Sequence, residues 1–359
     1  MPEPVRVALV LADSAGGIAR HVAALARGLP ERGIAVTVLG PSRTLDKLGL
    51  DSTSSRAWEV PVGQLLSPAG WSARRALRLA AADHDLVHAH GLRATVHAAT
   101  AGPPILVSTW HNAPLGGAAR RVTHAGLERY AARHSAVTLA VSGDLADRAR
   151  RAGAGDVRDM FVVAPPLPGA PPRVQARQSL GVGAEPLIVA VGRLHRQKRF
   201  DVLVDAAASW PAAATRPLVV IAGEGPLRPQ LARQIALTGA PVRLLGARPD
   251  VAALLAAADA VAISSDWEAR ALIAQEALRA GVPLVATSVG GLPELVGEAA
   301  VLVAPGDPAG LGTALRRVIE DDSLRSKLTT AATQASSGWP QLNDILDDLA
   351  GLYLSLTFR

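Results

Sequence analysis

The chain has 359 residues, a net charge of +6, 49% hydrophobic and 3% aromatic residues, and no cysteine. That length can bury two sizeable cores, so two domains are expected, and the lack of cysteine removes disulfides, thiolate metal sites and a cysteine nucleophile. Few aromatics and no recognition motif argue against nucleic acid despite the basic balance. With no apolar run near the ~18 residues of a membrane span and no basic leader into a hydrophobic core, a cytoplasmic protein is expected.

Val5 to Leu11 reads as a buried strand and Ile18 to Leu29 as an amphipathic helix ended near Gly33. Gly16 and Gly17 lie at the turn between them, where paired glycines let backbone approach a ligand at a helix N-terminus. The G-x-G-x-x-G dinucleotide fingerprint is missing. Ile34 to Leu39 supplies the next strand, and strand, helix, strand implies a parallel α/β sheet. Two further strands run into His90 and into His111-Asn112, beyond the carboxyl ends of strands, where ligands of doubly wound sheets sit. As metal ligands these histidines lack a carboxylate at useful spacing, and no metal site is expected. Ala118 to His134 reads as an arginine-rich helix whose charges wrap all round it. A solvated surface explains that pattern, and docking on anionic lipid is the sharper alternative.

Thr138 to Ser142 and Phe161 to Val163 read as the last strands of a first domain over residues 1–165. A proline-rich linker follows at 166–172, then a second domain at 173–336 and a C-terminal helix within 337–359. The second domain shows strands at Leu187 to Val191, Leu218 to Ala222, Val242 to Gly246, Ala260 to Ile263 and Pro283 to Thr287. Gly192, Arg193 and Lys198 follow the first of these. Glu268 sits in the turn after Ala260 to Ile263, before a helix from Leu272 to Ala280 stopped by Gly281. Glu276 lies eight positions on, about 12 Å along a helix axis at ~1.5 Å per residue. The two carboxylates are too far apart to share a proton or a metal, but could grip hydroxyls at opposite ends of a long polar ligand. Amides around Arg270 to Leu272 form a helix N-terminus that favours phosphate between them. Gln341 to Leu354 carries apolar residues at helical spacing, which want a surface to cover.

This Glu-x7-Glu arrangement, with Arg193-x4-Lys198 and Gly223-Glu224-Gly225-Pro226 before it and Gly290-Gly291-Leu292-Pro293-Glu294 after it, resembles the donor site of the GT4-type retaining glycosyltransferases of GT-B fold, glycosyl transferases group 1, in an actinobacterial-like form. The matching segments run in order from about residue 186 to 308. The resemblance implies two Rossmann-like β/α/β domains facing a central cleft, with the C-terminal helix crossing back to the first. It implies a metal-independent hexosyltransferase without cofactor, moving a hexose from a UDP-, GDP- or ADP-sugar to a sugar, lipid or small-molecule acceptor, with retention, in cell-envelope glycan or glycolipid synthesis.

By the same resemblance, Arg193 and Lys198 clamp the diphosphate, Glu268 contacts the hexose and Glu276 binds the ribose diol. Gly16, Gly17, Gly192, Ala269, Arg270, Ala271 and Leu272 complete the donor set, and His90, His111 and Asn112 form the acceptor side. Arg193, Lys198, Glu268 and His111 are the candidates for catalysis. Ala269-Arg270-Ala271 departs from the family's usual Gly-Phe-Gly, which is tolerable only if the turn needs no positive φ. Arg270 then either adds a cation to the donor pocket or points to solvent. A sugar-nucleotide epimerase and a degenerate donor-binding protein are the alternatives.

Overall fold

The computed structural model describes residues 3–14, 16–50, 55–63, 67–114, 118–167, 169–211 and 216–358, with backbone alone at 68–69 and 118–121. The chain divides into two compact units, Met1–Pro165 with Pro340–Arg359, and Pro166–Trp339.

In the first unit, β1 (Val5–Leu11), β2 (Ile34–Gly40), β3 (Arg56–Glu59), β4 (Leu86–His90), β5 (Leu106–Trp110), β6 (Val137–Ala140) and β7 (Val157–Asp159) form one parallel sheet ordered β3-β2-β1-β4-β5-β6-β7. Its helices are α1 (Gly17–Gly28), α2 (Ser42–Leu48), α3 (Pro68–Ala82), α4 (Leu92–Ala101), α5 (Ala118–His134) and α6 (Gly143–Ala152). The second unit begins with α7 (Arg173–Ser179). Its parallel sheet is built from β8 (Leu187–Val191), β9 (Leu218–Ala222), β10 (Val242–Gly246), β11 (Ala260–Ile263), β12 (Leu284–Thr287) and β13 (Ala300–Val303), ordered β10-β9-β8-β11-β12-β13. Around it lie α8 (Phe200–Ala208), α9 (Arg228–Thr238), α10 (Val251–Ala257), α11 (Leu272–Arg279), α12 (Leu292–Val296), α13 (Pro308–Glu320) and α14 (Asp322–Ser337).

The central strands are continuous apolar runs because helices cover both faces of a parallel sheet. In β1 only Arg6 is exposed, and β4, β8 and β9 are apolar or buried almost throughout. Each sheet winds outward in both directions from its first strand, so strand order reverses between β1 and β4 and between β8 and β11. In such sheets ligands bind beyond the carboxyl ends of strands at these reversals.

Most element ends fall within two residues of expectation, and the largest differences lie at the edge of the first sheet and at the last helix. Phe161 to Val163 is not a strand; the sheet edge is β7, four residues earlier, paired with the short β6. The β6 ladder ends at Ala140, which pairs with Asp159 and whose carbonyl accepts from Met160, so the strand stops before Phe161. The last helix, α15 (Leu342–Thr357), runs three residues past the expected Leu354. It starts at a reciprocal cap in which the Gln341 amide donates to Asp344 Oδ2 at 2.7 Å. Ile345, Leu346, Leu349, Leu352 and Tyr353 of α15 belong to the same buried cluster as Leu9 of β1 and Val22 and Leu25 of α1. The chain's end therefore completes the core of its beginning. Among the described residues no helix is long and apolar enough to cross a membrane.

Candidate active site

The second-unit site forms where β8 and β11 end side by side. After β8, Gly192 leaves room for Lys198 to fold back over it: a Cβ there would sit 3.2 Å from Lys198 Cε. Lys198 Nζ reaches Glu268 Oε1 at 2.6 Å, and Ser265 Oγ donates to the same oxygen at 2.6 Å. The Glu268 side chain is 9% exposed and that of Lys198 24%, so the pair is largely shielded from water. Glu268 is further pinned through its backbone, whose carbonyl accepts from the Gly291 amide at 2.9 Å. Gly290 makes this approach possible: its φ is +52°, and a Cβ would collide with the Glu268 carbonyl.

From Glu268 the chain enters α11 through Ala269, Arg270 and Ala271. Among the described residues Arg199 alone has positive φ without being glycine, so the turn at 269–271 accepts alanine and arginine without strain. The Arg270 side chain is 12% exposed and its guanidinium pairs with Glu294 of α12 at 2.7 Å, so it does not point to solvent. Ala271 is the N-cap of α11 and offers no side-chain cap. The first-turn amides at Leu272 and Ile273, four and five residues after Glu268, lie at the positive end of the helix dipole, an arrangement suited to an anion. Arg193 is exposed and Glu276 is buried in α11.

In the first unit, Gly16 has φ +86° at the mouth of α1, with Gly17 the first helical residue, where β1 ends. His90 closes β4 and His111 follows β5; both are buried, and His90 Nδ1 lies 3.1 Å from His111 Nε2. Asn112 is exposed beside them. Two histidines not singled out in the sequence join this pair. His21 of α1 packs edge-on against both rings, with centroids 5.8 and 5.6 Å away, and His88 lies 4.2 Å from His90. His88 is held between the Tyr353 hydroxyl of α15 and Thr109 Oγ1, each at 2.6 Å. Among the described residues no group of three or more histidines and carboxylates is arranged to hold a metal ion.

Burial lowers the pKa of His21 to about 4; burial and then repulsion from His21 lower that of His88 to about 3. His90 and His111 lie well below the usual value, through burial first and neighbouring imidazoles second. The folded protein therefore holds four neutral imidazoles, and below pH ~6.5 the unfolded chain binds more protons. Their stabilising share is complete above pH ~6.5 and is lost as pH falls toward the folded-state values. Each contributes a slope of up to about 1.4 kcal/mol per pH unit in that window. Denaturant midpoints are expected to drop between pH 7 and pH 5; a constant midpoint would show that the cluster takes up protons without cost.

The structure thus brings Gly192, Lys198, Glu268 and Ala269 to Leu272 together, and separately brings His90 to His111. Sequence reasoning missed Ser265, two residues before Trp267 and aimed at Glu268, and the His21, His88 and Tyr353 surround. His21, His88 and Tyr353 stand on the buried faces of their elements, which is the signal that could have found them, whereas Ser265 lies in a loop and carries none.

Comparison with known proteins bears on the family and the fold. The profile described as Glycosyl transferases group 1 matches residues 173–335, and that of Glycosyltransferase Family 4 matches residues 15–166. A D-inositol 3-phosphate glycosyltransferase of Salinispora arenicola is 35% identical over 317 residues, 76% of this chain and 69% of the relative. One from Corynebacterium kroppenstedtii is 36% identical over 195 residues, 48% of this chain but 43% of the relative, so that match spans less than half of it. Among solved structures, Anabaena HepE in complex with UDP and glucose superposes with a TM-score of 0.82 at 21% identity, covering 98% of this chain and 100% of that one. This last likeness is one of fold, and it is to a protein of GT-B architecture.

Proposed function

Since the chain belongs to the GT4-type glycosyltransferase family, we propose that it moves a hexose from a nucleotide diphosphate sugar to an acceptor hydroxyl with retention of configuration. The observation that carries this reading is the Lys198–Glu268 pair at the uncapped N-terminus of α11. As the bond from the anomeric carbon to the diphosphate breaks, negative charge grows on the leaving oxygens. Lys198, Arg193 and the amides of Leu272 and Ile273 are the groups that stabilise it. The acceptor oxygen bonds to the same face of the sugar, and its proton passes to the departing diphosphate. In this reading no protein nucleophile, metal or cofactor takes part. Glu268 holds the hexose, Glu276 the ribose diol, and His90, His111 and Asn112 the acceptor, with neutral imidazoles suited to a hydroxyl.

The donors to try are UDP-, GDP- and ADP-hexoses, with UDP-glucose first because HepE has been solved with it. Incubation with each, followed by proton NMR of the product's anomeric signal, tests the reading. An axial product from an axial donor supports it; an inverted product, or an isomerised donor, overturns it. Glu276→Ala is expected to weaken nucleoside diphosphate binding by about 1–3 kcal/mol through loss of an ionised acceptor. Calorimetry on a folded variant with wild-type affinity would remove the ribose role.

We also place this protein in the cytoplasm in peripheral contact with anionic membrane. The arginine-rich helix behind that expectation is α5, whose Arg120 and Arg121 side chains lie outside the described residues. The neighbouring α3 supports it better. Trp71, 68% exposed, and Leu79 stand there among exposed Arg74, Arg75 and Arg78, with no acidic residue in the helix. A groove of about 430 Å³ opens beside Trp71, over Val96 and Tyr130. Vesicle flotation is expected to recover the protein with phosphatidylglycerol and not with phosphatidylcholine, and Trp71→Ala to reduce recovery; equal recovery on both lipids would overturn the contact.

A further inference from the structure

The loop after β8 and the loop after β11 are fastened together on both sides of the Lys198–Glu268 pair. The Asp266 amide donates to the Gln197 carbonyl at 2.8 Å, and Gln197 Nε2 to the Trp267 carbonyl at 2.7 Å. Ser264 Oγ donates to the Lys198 carbonyl at 2.8 Å. The remaining fastening is a side-chain one. Arg199 Nη1 meets Asp266 Oδ1 at 2.9 Å while its Nε and Nη2 hold the Asp201 carboxylate at 3.1–3.2 Å.

Arg199 does this from an unusual backbone. Its φ of 47° and ψ of 41° place it in the left-handed region, where a Cβ crowds the backbone and side-chain-bearing residues are disfavoured. Such a conformation persists only where the surroundings over-determine it. The left-handed turn is what carries the chain from Lys198 straight into α8 at Phe200 and leaves the guanidinium between Asp201 and Asp266. The ion pairs are part-exposed, with side chains 30–41% accessible, so their worth to overall stability is small. Their worth to geometry is not, because a displacement of about 1 Å at a reacting centre can cost ~10²-fold in rate.

We infer that Arg199 is a positioning residue that locks the Lys198 loop to the Glu268 loop, so that the diphosphate cation and the hexose-facing carboxylate are held as one unit. This rests on the donor-site reading above. A purely local role, capping α8 through Asp201, makes a different prediction: it would leave residues 264–268 unaffected.

Arg199→Gly separates the two, since glycine removes the guanidinium and accepts the left-handed turn without strain. Hydrogen exchange of the full-length protein reads the lock without any substrate. The Asp266 amide and its neighbours in 264–268 are expected to exchange at least ~10-fold faster in Arg199→Gly and in Asp266→Asn, while Asp201→Asn leaves them unchanged. In transfer assays the first two variants lose ~10–100-fold in kcat with donor KM within ~3-fold, and the double variant is no slower than either single. Unchanged exchange at 264–268 in Arg199→Gly overturns the lock, as does a double variant whose loss is the product of the singles. If exchange accelerates but the wild type transfers no sugar from any donor, the lock stands and the proposed function falls.

Discussion

Lys198→Ala is expected to lower turnover by about 10²–10³-fold, or about 2.7–4 kcal/mol, the usual cost of one preorganised electrostatic contact to developing charge. Arg193→Ala is expected to fall in the same range, and in both the rate should suffer more than ground-state binding of the donor. The structure adds a distinction between them. Arg193 is exposed, so its removal should leave stability within about 0.5 kcal/mol. Lys198 neutralises a carboxylate that is 9% exposed, so its loss should also lower the melting temperature. Glu268→Gln in the Lys198→Ala background is expected to restore the melting temperature but not the rate. Arg193→Lys should recover little if the guanidinium fork spans two phosphate oxygens. Two solvated cations would instead give losses under ~1 kcal/mol. Steady-state rates beside thermal melts decide, and near-wild-type turnover in both alanine variants would remove the mechanism.

Tyr353→Ala is expected to destabilise the protein by about 3–5 kcal/mol, the range for emptying a core aromatic site. Tyr353 is fully buried and its hydroxyl meets His88 Nδ1 at 2.6 Å. Tyr353→Phe keeps the ring and strands that nitrogen, at about 1–3 kcal/mol. Both losses should appear in unfolding of the first unit, to which α15 belongs, so removing residues 340–359 should unfold a unit whose sheet lies more than 180 residues upstream. Guanidinium melts give the numbers; a Tyr353→Ala variant as stable as wild type would mean that α15 is only a cover.

Most of the architecture was legible because burial writes itself into composition. A strand covered on both faces must be apolar throughout, and Leu187 to Val191, Leu218 to Ala222 and Ala260 to Ile263 were recognisable to the residue. The candidate donor set was legible for a different reason, since its motifs lie in the loops directly after such strands. The edge strands of the first sheet were not: β3 is exposed along its length and β7 is three residues long, so neither carries an apolar signature.

What the sequence determined by itself was therefore the alternation of strand and helix, the two parallel sheets, and which loops lie at their carboxyl edges, because each follows from local pattern. Tertiary structure alone decided which side chains meet. Lys198 and Glu268 are 70 residues apart and Tyr353 and His88 are 265 apart, and no spacing rule relates them. Arg270 turns away from solvent because Glu294 of α12, 24 residues on, stands beside it. Arg199 in a left-handed turn is invisible to propensity, which disfavours it there; Asp201 is a local partner two residues on, but Asp266, 67 residues away, comes within reach only once β8 and β11 have paired.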